Sequence, residues 1–144
     1  MVIFADTSFL FSLYGDDTNT SRAIAWIKKD RTAIGVTPLG RYELGNSLRF
    51  AEFRRLIRPG QASLFWSQFE SDIISGRIIP QTCNIAAVIE EASRISVTQT
   101  LAKGHRSFDI LHVAAALVLG GKTFLTFDVN QKRLALEEGL KSPL

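Results

Sequence analysis

Val2-Ile3-Phe4-Ala5-Asp6 opens the chain, and Thr123-Phe124-Leu125-Thr126-Phe127-Asp128 stands near its other end. Each is a short apolar run, rich in β-branched or aromatic side chains, that finishes on a carboxylate. Runs of this length bounded by polar residues read as buried strands, here Val2 to Ala5 and Thr123 to Phe127. Ala33 to Val36 and Arg77 to Ile79 give two more short strands. Helical patterns lie between them. Ser8 to Tyr14 makes a helical turn, and Thr20 to Lys29 carries Ala23, Ile24 and Ile27 on one face. Thr37 caps a helix with Pro38 at its first position, where the missing N–H costs nothing. Ala62 to Ile74 follows Pro59-Gly60, and a helix from Asn84 to about Leu101 carries Ile85, Val88, Ile89, Ala92 and Ile95. Ser107 caps an Ala-rich helix running to Leu119 and stopped by Gly120-Gly121. Gln131 to Glu138 is the last. Alternating strands and helices predict an α/β fold with a parallel central sheet flanked by helices on both faces. In such sheets ligands bind beyond the carboxyl ends of the strands, where Asp6 and Asp128 stand.

The chain has 144 residues and is 46% hydrophobic, enough for one domain over 1–144 with a substantial core and no disulfide staples. Cys83 is the only cysteine, which suits a reducing cytoplasm. The apolar N-terminus lacks a basic leading region and is interrupted by Asp6, so a signal peptide is not expected, and a soluble intracellular protein is. The net charge of +3 fits a polyanionic partner without requiring one. Basic residues gather in two places, Arg49, Arg54, Arg55 and Arg58 in one and Lys103, His105 and Arg106 in the other. On position alone, solvated helix ends or loops are the preferred explanation of such clusters.

Four acids are set against apolar neighbours: Asp6 after Ile3-Phe4-Ala5, Glu43 between Tyr42 and Leu44, Asp109 in Phe108-Asp109-Ile110-Leu111, and Asp128 after Leu125-Thr126-Phe127. An unpaired buried charge is expensive, so each needs a partner. Structural explanations exist one by one. Asp6 and Asp128 can cap helices, Glu43 can pair with Arg41 or Arg49, and Asp109 complements the dipole of its helix. Taken together they form a set that can face one cleft. Clustered carboxylates repel, and one of them holds a proton unless a cation intervenes. Oxygen-only donors favour Mg²⁺ or Mn²⁺ over zinc, and such sites suit phosphodiester hydrolysis.

Phe4-Ala5-Asp6-Thr7-Ser8-Phe9-Leu10 resembles the first motif of PIN domains, and Tyr42-Glu43-Leu44-Gly45-Asn46 the second. Ser107-Phe108-Asp109-Ile110-Leu111-His112-Val113-Ala114-Ala115-Ala116 closely resembles the third, and Leu125-Thr126-Phe127-Asp128 the fourth. The motifs fall in order across nearly the whole chain. PIN domains of this length are typically VapC-type toxins of type II toxin–antitoxin pairs. The resemblance therefore implies a Mg²⁺-dependent (or Mn²⁺-dependent) endoribonuclease in which Asp6, Glu43, Asp109 and Asp128 are catalytic and bind metal. Hydroxyls of Thr7, Ser8 and Thr126 support them. It further implies an RNA substrate, a homodimer and a cognate antitoxin protein. In that reading Arg49, Arg54, Arg55, Lys103 and Arg106 hold RNA phosphates. The competing class is a PIN-like module that binds RNA or protein without cutting.

Other readings fare worse. Ala116 to Thr123 loosely resembles a P-loop, but it leaves a helix and enters a strand, the reverse of the order that cradles phosphate. An aspartyl-phosphate enzyme needs a second acid two residues after Asp6, where Ser8 stands. His112, three residues beyond Asp109, either reaches the site or is packed and hydrogen-bonded in the interior. His105, beside Lys103 and Arg106, is expected to be exposed. Trp26, Trp66 and Phe69 are expected to pack rather than stack on bases.

Overall fold

The structure is a computed structural model that describes residues 3–144. Four parallel strands, β1 (Ile3–Ala5), β2 (Ile34–Val36), β3 (Ile78–Pro80) and β4 (Thr123–Leu125), form one sheet in the order β3-β2-β1-β4. Registers such as Ile3 with Ile34 and Phe4 with Phe124 place β1 between β2 and β4. The expected strand at the N-terminus thus holds over Ile3–Ala5, and Val2 lies outside the described residues.

Side chains alternate across β1 and so build two cores. Ile3 and Ala5 join Phe9, Leu10, Leu44, Leu48 and Phe69 on one face. Phe4 and Phe124 meet Val88, Ile95, Val113, Ala114 and Leu134 on the other. The first face is covered by α1 (Thr7–Tyr14), α2 (Thr20–Lys29), α3 (Pro38–Phe53) and α4 (Gln61–Ile74). The second is covered by α5 (Ile85–Ile95), α7 (Ser107–Val118) and α8 (Val129–Glu137), so the sheet is flanked on both faces as expected. Trp26 and Trp66 pack against the first core and Phe69 lies within it.

Most element boundaries shift by a residue or two from the sequence reading, as where α8 begins at Val129 rather than Gln131, and three further differences bear on local geometry. The helix from Asn84 does not run uniformly to Leu101, because Ser96–Thr100 winds as a π-helix before a last turn, α6 (Leu101–Lys103). β4 stops at Leu125, since the Thr126 hydroxyl takes the Asp128 N–H at 3.0 Å and turns the chain out of the ladder. Ser107 is not the cap of α7; Arg106 occupies that position with extended backbone and no side-chain cap bond, and Ser107 begins the helix. The other caps hold. Thr37 accepts from Gly40 N with Pro38 following, and Asn84 accepts from Ala87 N.

Helix α3 ends in an unusual way. The N–H of Leu56 bonds to Ala51 O and that of Arg55 to Glu52 O, the doubly bonded finish that needs one left-handed residue. Arg55 takes it with φ 60°, where Gly120 serves at the end of α7 with φ 74°. Among the described residues no helix is long and apolar enough to cross a membrane.

Candidate active site

Two of the four acids owe their position to helix capping. Asp6 ends β1 and its Oδ1 accepts the Phe9 N–H at 2.9 Å at the start of α1. Asp128 follows β4, and its Oδ1 accepts the Gln131 N–H at 2.8 Å at the start of α8. Because β1 and β4 are parallel neighbours, both carboxylates emerge at the same edge of the sheet. The structural and the functional reading of these residues therefore coincide: the cap aims the carboxylate. Glu43 comes from the second turn of α3, and Asp109 from the first turn of α7. Asp6, Glu43, Asp109 and Asp128 line one cleft of about 420 Å³, together with Thr7, Ser8, Ser47, Arg106, Ser107, Phe108 and Gln131.

Hydroxyls hold two of the acids in place. Ser8 Oγ stands 2.8 and 2.9 Å from the two Asp6 oxygens, and Thr126 Oγ1 donates to Asp6 Oδ2 at 2.6 Å. Ser8 in turn accepts the Phe127 N–H at 3.0 Å, which ties α1 to the loop after β4. Thr7 Oγ1 donates to Glu43 Oε1. His112 Nε2 donates to the same oxygen at 2.9 Å from a buried position one turn past Asp109. Both bonds use Oε1, and Glu43 lines the cleft. Glu43 therefore does not pair with Arg41, which reaches Glu70 at 3.7 Å instead. Beside Asp109, Arg106 Nε stands 3.6 Å from Oδ2.

Burial, and at one acid like charge, set the electrostatics of the site. Burial pushes the Asp6 carboxyl up to about 6, even though bonds from Thr126, Phe9 and Ser8 favour its charged form. Burial also raises Asp109, with Arg106 opposing and the Asp128 and Glu43 charges adding to the rise. Burial would raise Glu43 too, but hydrogen bonds from His112 and Thr7 outweigh it and the net direction is down.

The basic residues divide. Arg106 lies at the cleft, and Lys103 nearby faces Glu137 at 3.7 Å. Arg49 borders a separate hollow with Gly45 and Trp66, and Arg54 and Arg55 sit at the far end of α3. His105 is not exposed: it is half-buried, with Nδ1 3.2 Å from Asn130 Nδ2 and Nε2 shut off from solvent with no hydrogen-bond partner among the described residues. Asn130, on α8, reaches back to the segment before α7, donating to Gly104 O at 3.0 Å and meeting the ring at Nδ1. Ser47 and Gln131 were not singled out in the sequence. The signal was present in the helical spacing, since Ser47 follows Glu43 by four residues and Gln131 follows Asp128 by three.

The cleft gathers the acids without closing them on a point. Among the described residues no three His, Cys, Asp or Glu side chains stand close enough to hold one ion by themselves. Asp6 is turned onto its hydroxyls and Asp128 onto its helix cap. The donor set still fits Mg²⁺, which keeps several waters and takes one or two carboxylates directly.

A parallel-sheet domain with an acidic cleft beyond the carboxyl ends of β1 and β4 defines the class. The chain belongs to the PIN domain family, whose sequence model matches residues 3–137. PIN domains are generally nucleases. Among solved structures, PAE2754 from Pyrobaculum aerophilum is similar at 20% identity with a TM-score of 0.63, covering 99% of this chain and 83% of that one. FitAcB from Neisseria gonorrhoeae is similar at 19% identity with a TM-score of 0.66, covering 98% of this chain and 96% of that one. These likenesses are of fold. No curated protein matches the chain.

Proposed function

We propose that this PIN domain is a Mg²⁺-dependent endoribonuclease, and that it is the toxin of a VapBC-type pair, acting as a homodimer held in check by an antitoxin protein. The observation that carries the nuclease reading is the single cleft lined by Asp6, Glu43, Asp109 and Asp128, in which burial raises Asp6 and Asp109 and the neighbouring carboxylates add to the rise at Asp109. Such a site is electrostatically incomplete until a cation enters. Asp6, Glu43, Asp109 and Asp128 are the residues that would hold Mg²⁺ (or Mn²⁺), directly or through water. Bound there, the ion supplies Lewis acidity to a phosphoryl oxygen and lowers the pKa of water.

The chain's own residues do the rest. Ser8 and Thr126 fix the Asp6 carboxylate, and Thr7 and His112 fix Glu43, so the acids are held before substrate arrives. Arg106, exposed at the rim beside Asp109, offers a guanidinium to a phosphate of the strand. No side chain is required as a nucleophile.

A non-catalytic RNA- or protein-binding module is the second reading. The feature that favours it is the lack, among the described residues, of a compact three-ligand group. Incubation with mixed cellular RNA in Mg²⁺ or EDTA, beside an Asp109→Asn control, separates the two, with fragments read by end-sequencing. Metal-dependent cutting that the control abolishes supports the nuclease and names the target. Folded, antitoxin-free protein that cuts nothing in Mg²⁺ or Mn²⁺ yet retains RNA in EDTA supports the module.

A further inference from the structure

Beyond the cleft, α3 carries a feature that its packing does not use. Phe50 and Phe53 are 54% and 80% exposed, large apolar rings left in water at the end of a helix. They stack on each other with centroids 6.2 Å apart and planes at 23°. The Arg54 guanidinium lies over the Phe50 ring at 5.7 Å from its centroid.

Helical register links this platform to the acids. Glu43, Ser47, Phe50 and Arg54 are spaced by four, three and four residues, so they form one stripe along α3. Glu43 and Ser47 line the cleft. Phe50 lies ~10 Å further along the same face, two helical turns away. Charge follows the same direction. Residues 49–58 hold four arginines against Glu52 alone, a surplus equal to the +3 of the whole chain. Glu52 is itself occupied, accepting the Ala62 N–H at 3.0 Å at the start of α4. Arg55 keeps a guanidinium where a glycine would relax the backbone.

We infer that Phe50, Phe53 and Arg54 form a base-stacking subsite for single-stranded RNA, continuous along α3 with the acid cleft. Exposed rings beside cations are the means by which proteins hold single strands without reading sequence. A second copy of this chain fits the patch poorly, because a two-fold contact centred there sets arginines against their own copies. The inference rests on the nuclease reading for its substrate and adds where the strand leaves the cleft.

The test uses the full chain carrying Asp109→Asn, so that bound RNA is not cut. Labelled oligouridylate of about twelve nucleotides is the probe, in Mg²⁺, with inorganic polyphosphate of similar charge as the baseless comparison. Adding Phe50→Ala and Phe53→Ala should weaken the RNA about tenfold and leave polyphosphate unchanged. Adding Arg54→Gln should weaken both and reduce the salt dependence by roughly one phosphate contact. RNA affinity unchanged by the paired phenylalanine substitutions overturns the subsite. So does an equal loss for RNA and polyphosphate, or a loss that tracks a fall in oligomeric mass by light scattering, which would mark the patch as a face between protein chains. Cutting by the otherwise unmodified protein is assayed in parallel. Cutting with no phenylalanine effect sinks the subsite alone, whereas neither cutting nor binding sinks the nuclease reading with it.

Discussion

Replacing Asp6 by Asn should stabilise the metal-free protein at neutral pH while destroying its proposed activity. Asp6 is 2% exposed, and burial raises its carboxyl from 3.8 to about 6. The folded state therefore binds a proton that the unfolded chain has already released between those two values. Stability falls as pH rises through that window, and the loss is complete above the folded value. The size follows from the rise, about 3 kcal/mol at pH 8. Asn keeps the shape and removes the charge. Its amide can still meet Ser8 and Thr126, whose hydroxyls rotate to accept where they had donated. In EDTA, urea midpoints of the two proteins should agree near pH 3.5, diverge through pH 4 to 6, and differ in favour of the Asn variant at pH 8. Mg²⁺ or Mn²⁺ should then stabilise the Asp protein more than the variant, by mass action. An Asn variant equal to or weaker than the parent at pH 8, or an advantage independent of pH, would refute the claim that Asp6 is a desolvated charge awaiting a cation.

Further outcomes follow from single contacts. Thr126→Val removes the 2.6 Å donor to Asp6 and the acceptor for the Asp128 N–H, and should cost about 1.5–3 kcal/mol at pH 8, less at pH 4.5, in urea titrations. Gly121→Ala puts a Cβ 2.9 Å from both Ala116 O and the Phe4 ring, and should lower the thermal midpoint through roughly 1–3 kcal/mol of strain. Arg55→Gly relieves a left-handed arginine at φ 60° and should raise stability by about 0.5–1 kcal/mol, a few degrees in a calorimeter. His112→Ala leaves Glu43 held by Thr7 alone and should weaken Mn²⁺ binding about tenfold, read by titration under paramagnetic resonance.

Local rules made some of the site legible and hid the rest. Asp6 and Asp128 were readable because an acid that closes an apolar run both ends a strand and starts a helix, and both events are written within a few residues. Thr37-Pro38 and Gly120-Gly121 were readable for the same reason. Ser107 was misassigned as a cap because residue type alone cannot tell the cap position from the first helical one, and Arg106 took the extended backbone instead. Exposure of His105 is the natural reading beside exposed Lys103 and Arg106, but Asn130, distant in sequence, meets its ring at Nδ1. The π-helical turn at Ser96–Thr100 left no periodic trace long enough to detect.

The sequence by itself determined which residues are acidic, which faces are apolar, and that strands and helices alternate in the pattern of a parallel sheet. Those properties are set by covalent neighbours and by periods of two and 3.6 residues. Only the tertiary structure decided that Thr7 and His112 meet on one oxygen of Glu43, 36 and 69 residues away, and that Ser8 reaches across to Thr126. Such meetings depend on the strand order β3-β2-β1-β4 and on how α3 and α7 pack against opposite faces of the sheet. That order is fixed by burying two cores at once, a property of the whole chain that no short window contains.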